Sequence, residues 1–171
     1  MTKRDVAPRE KEGVRLRLLE DEDLKMTLAW RNQAHIRRWF FYSDVISWEM
    51  HTSWYAQYKT CDDDFVFIIE ETRTLKKPVG QVALYHIDWA TKRAEYGRLL
   101  LGEPDAQGRG IARAATTMLL EQAFANWGLF EVYLEVYATN TPALAVYAAC
   151  GFRVASQTAD VLLMIKRQGL A

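Results

Sequence analysis

The chain has 171 residues, half of them hydrophobic, with 22 basic and 22 acidic side chains. That length closes one sizeable core but would leave a second domain short of burial, and the balanced charge gives no global positive field to hold nucleic acid or an anionic membrane surface. No apolar run approaches the roughly 20 residues of a membrane span, and neither Cys61 nor Cys150 stands at metal-ligand spacing, so a cytosolic protein with free thiols and no metal is expected.

Residues 1–13 are charged and lack an apolar segment, so a flexible N-terminus is expected ahead of a single domain over residues 14–171. Residues 14–19 alternate apolar and basic side chains as a half-buried strand does, and the acidic cluster at 20–23 opens a helix through Leu24, Leu28 and Trp30. Ser47 can cap a second helix carrying Trp48, His51, Trp54, Tyr55 and Tyr58. Residues 65–69 form a buried strand, 71–77 a hairpin loop before Pro78, and 79–87 and 93–101 two further strands, consecutive and antiparallel. After the loop at 102–110, Ile111, Ala115, Met118, Ala123 and Trp127 mark a helix closed by Gly128. Phe130, Val132, Leu134, Val136 and Ala138 then share the core face of a strand. Thr141 as N-cap, Pro142 and Gly151 bracket a short helix, and residues 152–156 and 161–166 finish as a hairpin. The pattern predicts an α/β (α+β) fold with a mixed, mostly antiparallel sheet of six to seven strands and about four flanking helices.

Gln107-Gly108-Arg109-Gly110-Ile111-Ala112 joins a strand directly to a helix. Its backbone N–H groups include the unpaired first donors of that helix, at the positive end of the helix dipole. Gly108 and Gly110 let the main chain approach an anion closely, Ala112 keeps the first turn open, and Arg109 adds charge. A diphosphate cradle and a plain tight turn are both compatible with this hexapeptide. The glycine spacing fits neither a dinucleotide fingerprint nor a P-loop.

About thirty residues later comes Asn140-Thr-Pro-Ala-Leu-Ala-Val-Tyr147-Ala-Ala-Cys-Gly151-Phe152. In this order and separation the two segments resemble the GNAT superfamily of N-acetyltransferases, in which Gln/Arg-x-x-Gly-x-Gly/Ala cradles the pyrophosphate of coenzyme A. The second pattern, Asn-x-x-Ala-x-x-x-Tyr-x-x-x-Gly-Phe, carries a tyrosine near the thioester sulfur. The order of strands and helices is similar as well, so the resemblance covers nearly the whole chain. It implies the GNAT fold and acetyl-coenzyme A as donor, bound through Gln107, Gly108, Arg109, Gly110, Ile111 and Ala112. It further implies that main chain around Leu100 and Leu101 meets the pantetheine arm and polarises the acetyl carbonyl. Asn140 either anchors that arm or makes an ordinary turn before its helix.

Acetyl transfer to an amine needs a neutral nucleophile, a polarised carbonyl and a proton for the departing thiolate. Tyr147, protonated at neutral pH, is the candidate acid, unless it is only a core aromatic. Glu95 is the candidate base, with His86 behind it. In the superfamily the first two helices shape the acceptor site. Here they bring Trp30, Arg31, Asn32, Arg37, Trp39 and His51, and together with His86 these are the candidate substrate contacts. Aromatic faces beside guanidinium groups suit a stacked base and a diphosphate. The segment is also similar to bacterial aminosugar N-acetyltransferases, so a small primary amine, best a nucleotide-linked amino sugar, is the expected acceptor. A protein α-amine, received by the acidic run at 62–64 as in the neighbouring ribosomal-protein acetyltransferases, and a non-catalytic acyl-coenzyme A-binding module are the alternatives. The aromatic surface also makes a homodimer an expectation.

Overall fold

The structure, a computed structural model, describes residues 2–169; the last two residues of the expected domain lie outside it. One eight-stranded sheet runs in the order β1-β2-β3-β4-β5-β6-β8-β7. In chain order the strands are β1 (Arg9–Lys11), β2 (Val14–Leu18), β3 (Phe65–Glu71), β4 (Lys77–Asp88), β5 (Arg93–Leu101), β6 (Glu131–Tyr137), β7 (Arg153–Thr158) and β8 (Val161–Arg167). The helices are α1 (Leu24–Asn32), α2 (Ala34–Arg37), α3 (Trp48–Tyr58), α4 (Ile111–Glu121) and α5 (Thr141–Ala149). Every neighbouring pair is antiparallel except β5 and β6, which run parallel.

The extra strand lies where the sequence suggested a flexible arm. Glu12 and Gly13 both take positive φ, which makes a two-residue turn whose twist suits a hairpin, and Arg9–Lys11 folds back along β2. Arg9 and Lys11 then reach across to Gln122 and Glu121 at the C-terminal end of α4. The strand is short and polar, so no periodicity announced it.

The sheet buries both faces of its centre. Phe65, Phe67, Val82, Leu84, Tyr96, Val132 and Leu134 meet α4 and α5 on one side, while Leu19, Val66, Ile68 and Ala83 pack with Tyr55 and Tyr58 of α3 on the other. The alternation of the sixth strand holds from Val132 to Val136, but Phe130 precedes the strand and is 52% exposed. Helix α4 does not continue regularly to Trp127. After Glu121 it widens into a π turn, Gln122–Asn126, and Gly128 at φ +64° turns the chain into β6. At the start of α5 the capping residue is Asn140 rather than Thr141: its side chain accepts from the Ala143 amide, and Pro142 falls within the first turn.

Candidate active site

The parallel pair β5 and β6 holds together for only three residue pairs, ending at Glu95 opposite Tyr133. Beyond that point the strands part, because β5 carries a bulge. Arg98 takes φ +54°, and the register slips by one residue between Gly97 opposite Ala83 and Leu100 opposite Gln81. The gap opens into a cleft of about 570 Å³, whose walls include Glu95, Leu99 and Leu101 on β5 and Glu135 and Val136 on β6, with Tyr147 and Gln107 also lining it.

Strand geometry decides which amides face this cleft. Gly102 donates to Val79 in β4, and Leu101 instead receives the Gln107 side chain on the open side. Alternation then turns Leu100 towards β4 and Leu99 towards the cleft. The Leu101 main chain thus faces the cleft; Leu100 also lines the cleft, but its main chain pairs with β4 and its side chain is buried with Trp30 and Ile36, against the expectation that its amide meets the pantetheine arm. The other cleft-facing amide is that of Leu99.

At the end of β5 the short turn Pro104–Ala106 leads into the glycine-rich loop. Gly108 and Gly110 sit at φ +70° and +74°, the left-handed region, and a Cβ added at either would project into open space with nothing within 4 Å. Gly110 is the N-cap of α4, and Ala114 is the first residue of that turn to return its amide to the helix, bonding to the Gly110 carbonyl. The amides before it are the orphan donors of the helix start, beside a wall-lining Ala112. Ile111 points into the core at 3% exposure, so only its main chain faces the loop, and the Arg109 side chain donates back to the Asp105 carbonyl at 2.6 Å.

Tyr147 comes from α5 and presents its ring edge to Tyr96 and Phe152, with centroids 5.7 and 6.0 Å away. It is 8% exposed, and burial raises its phenol well above the usual tyrosine range, so it holds its proton at neutral pH. Glu95 projects from β5 on the opposite face of the sheet from Tyr96. Tyr85 donates to it at 2.9 Å and the Nδ1 of His86 lies 2.7 Å away.

The candidate acceptor residues are distributed very differently. Trp30 is a core side chain at 4% exposure; it lies flat against Gly102 and donates its indole N–H to Glu103. His51 is wedged between α1 and α3, 3.3 Å from the Thr27 hydroxyl and stacked on Trp54, and burial lowers its pKa. Asn32 exchanges two hydrogen bonds with the main chain of Ile46. Arg31 and Arg37 donate to the carbonyls of Tyr42 and Ser43, and Arg31 stacks 3.7 Å over Phe40. These groups fold the segment 38–46 rather than line the cleft. Trp39 does line it, and so do Arg38 and Phe41; the Phe41 ring crosses the cleft to meet Tyr137 of β6 at 5.0 Å. In the acidic run at 62–64, both oxygens of Asp64 are taken by Arg98, while Asp62 and Asp63 are exposed.

Sequence reasoning missed Tyr85, Leu99, Phe41 and Glu135. The even spacing along 130–138 placed Glu135 on the non-core face, but nothing in the sequence placed that face on the cleft. Among the described residues no cluster of three or more His, Cys, Asp or Glu gathers as a metal site, and no helix is long and apolar enough to cross a membrane.

Two parallel strands parting over the open start of a glycine-capped helix, with a protonated tyrosine in the gap, define a cleft for an extended thioester whose diphosphate rests on main-chain amides. That is the architecture of an acyl-coenzyme A-dependent transferase. Residues 14–153 match the acetyltransferase (GNAT) domain family, and the chain belongs to it. It is an N-acetyltransferase that uses acetyl-coenzyme A. The spermidine N(1)-acetyltransferases of Vibrio cholerae serotype O1 and Escherichia coli K12 are each 28% identical to it, covering 80% and 83% of this chain and 77% and 74% of theirs. The crystal structure of the spermidine N-acetyltransferase from Vibrio cholerae in complex with CoA and spermine superposes with a TM-score of 0.85 at 25% identity, over 92% of this chain and 97% of the other. A domain from Methanocaldococcus jannaschii, 21% identical, shares the fold at a TM-score of 0.79 over 94% of this chain and 99% of its own. The aminosugar and ribosomal-protein branches suggested by the first helices are not the ones these named relatives represent.

Proposed function

We propose that the chain moves the acetyl group of acetyl-coenzyme A onto the primary amine of a small molecule, by direct transfer in the cleft between β5 and β6. The parting of those strands carries this reading, because it turns free amides towards one gap that Tyr147 and Glu95 also line. The coenzyme supplies an acetyl group activated as a thioester.

The orphan amides from Gly108 to Arg113 hold its pyrophosphate, and the Leu99 and Leu101 amides hold the pantetheine arm and draw charge from the acetyl carbonyl. Tyr147 donates a proton to the departing sulfur. Glu95 takes a proton from the incoming ammonium, directly or through one water. In the assembled enzyme Asn140 serves the fold as a helix cap, and Gln107 braces the end of β5.

The acceptor that the geometry favours carries an anionic group, and a nucleotide-linked amino sugar fits. Between Leu24 and Ser43 there is no Asp or Glu, and from this segment Arg38 lines the cleft beside Trp39, Phe40 and Phe41. Such a wall attracts phosphate and stacks a base, and it repels a polycation. The names of the relatives favour a second reading, spermidine, whose ammonium groups Glu95 and Glu135 would receive. Free-thiol release from acetyl-coenzyme A, measured side by side with a uridine-diphosphate-linked amino sugar and with spermidine, separates the two. Faster release with spermidine by tenfold or more in kcat/KM removes the anionic acceptor; release with neither removes both. The exposed Phe41, Tyr42 and Trp48 support self-association as part of the same reading, and a monomer mass in light scattering at working concentration would remove it.

A further inference from the structure

Tyr85 and His86 are consecutive on β4, and in a regular strand they would point to opposite faces of the sheet. Both instead reach the same carboxylate. Between the pairs Tyr85 opposite Glu95 and Asp88 opposite Arg93, β4 places two residues against one on β5, and His86 takes φ +46° to absorb the extra residue. The bulge swings the imidazole onto Glu95 Oε2 at 2.7 Å while Tyr85 donates to Oε1 at 2.9 Å. An ionised carboxylate at that distance accepts a proton that must reside on Nδ1, which leaves Nε2 towards solvent. The Glu95 side chain is 17% exposed and that of His86 68%, so the pair spans from the cleft to the surface.

The surroundings leave His86 as the basic group committed to Glu95. Arg93 bonds Glu131 and covers the Tyr133 ring, and Arg98 bonds Asp64 and covers the Tyr85 ring. Tyr133 stands opposite Glu95 on β6, and Glu135 lies further along the same strand. Gly97 completes the arrangement: a Cβ there would stand 2.7 Å from the Tyr85 hydroxyl. A non-glycine residue held in the left-handed region beside a reaction cleft marks strain that the surrounding structure maintains, and such strain concentrates at functional sites.

We propose that His86 is a positioning residue for acetyl transfer: its Nδ1–H, delivered by the bulge, fixes the Glu95 carboxylate so that Glu95 can draw the proton from the acceptor ammonium. This rests on the acetyl-transfer reading and on Glu95 as its base. The ammonium gives one proton to Glu95, which passes it to water. A second N–H proton leaves to water as the C–N bond forms and the C–S bond breaks, and Tyr147, having handed its own proton to the sulfur, regains one from water.

Two measurements test it. The first is turnover with acetyl-coenzyme A and whichever of spermidine or the uridine-diphosphate-linked amino sugar the wild type uses better. Glu95 as base is worth about 10²–10⁴ in rate, and His86→Ala, which leaves that base unoriented, should lose about tenfold or more in kcat with KM for acetyl-coenzyme A unchanged. His86→Asn returns an N–H donor and tolerates positive φ, and should recover to within about threefold of wild type. Unchanged turnover in His86→Ala, or His86→Asn as slow as His86→Ala, overturns the proposal. The second is nitrogen NMR of the imidazole in the coenzyme A-saturated protein, which needs no acceptor. His86 should be fixed as the Nδ1–H tautomer and should lose that preference in Glu95→Ala; the same tautomer balance in both proteins overturns the pairing. A protein with the fixed tautomer that turns over neither amine refutes the acetyl-transfer reading and the positioning role together, while the pairing itself stands.

Discussion

The donor half of the cleft and the acceptor half are built from different parts of the polypeptide. The proposed donor half is main chain: two glycines at positive φ, the first amides of α4, and a strand whose Leu99 and Leu101 amides face away from β4. The acceptor half is side chains, and most of them are spent on one another. Trp30 fills the space over Gly102, Asn32 ties down Ile46, and Arg31 and Arg37 hold the carbonyls of Tyr42 and Ser43. Main-chain recognition suits a partner every family member shares, and a side-chain scaffold can be rebuilt for each acceptor without touching the first half.

The sharpest way to break this comparison is at Gly110. Gly110→Trp should abolish acetyl-coenzyme A binding, a loss of more than about 100-fold in Kd by calorimetry, because the ring would occupy the open side of the turn and an L-residue there costs roughly 1–2 kcal/mol of backbone strain. Retained binding would move the pyrophosphate elsewhere. Next, Trp30→Ala should destabilise the fold by about 3–5 kcal/mol in denaturant unfolding, since a buried indole and its hydrogen bond to Glu103 are lost together. If that variant stayed stable and lost only acceptor affinity, Trp30 would belong to the site after all.

Tyr147→Phe should lower kcat by about tenfold or more while KM for acetyl-coenzyme A stays within about threefold, because the ring packing against Tyr96 and Phe152 is kept. An unchanged kcat would remove Tyr147 as the acid. The smallest effect is one of pH. Tyr58, Tyr85, Tyr96 and Tyr147 all have pKa values raised first by burial, so the folded chain holds protons that the unfolded chain releases above about pH 10. Below that range they contribute no pH dependence, and as pH rises through it the unfolded state is favoured, so stability falls. Equal unfolding midpoints at pH 8 and pH 11 would show that these phenols are not held neutral.

The donor half was legible because its requirements are local. Positive φ selects glycine, a helix start needs a cap, and the strand-loop-helix order follows from periodicity, so residues 107–112 could be placed as the turn into a helix, while Tyr147 stood out only through the resemblance to the superfamily. The acceptor half was not legible, because aromatic and basic residues on α1 and in the following segment read alike whether they face a ligand or one another. Only the crossing of Phe41 to Tyr137 and the packing of Trp30 under Gly102 decide which is which. Bulges were equally silent: one residue too many at His86 or at Arg98 leaves the hydrophobic pattern of β4 and β5 almost unchanged while it redirects Tyr85, His86 and Leu99. Strand β1 escaped notice for the opposite reason, being three polar residues whose pairing depends on a two-residue turn.

The groups proposed to polarise the acetyl carbonyl are N–H bonds of ordinary leucines, and no codon specifies them. An alanine scan across 99 to 101 would therefore report packing and miss the chemistry. Replacing one backbone nitrogen by oxygen at Leu99 or Leu101, or placing a proline there, would remove the donor. At these two positions inheritance protects the path of the chain, not the letters along it.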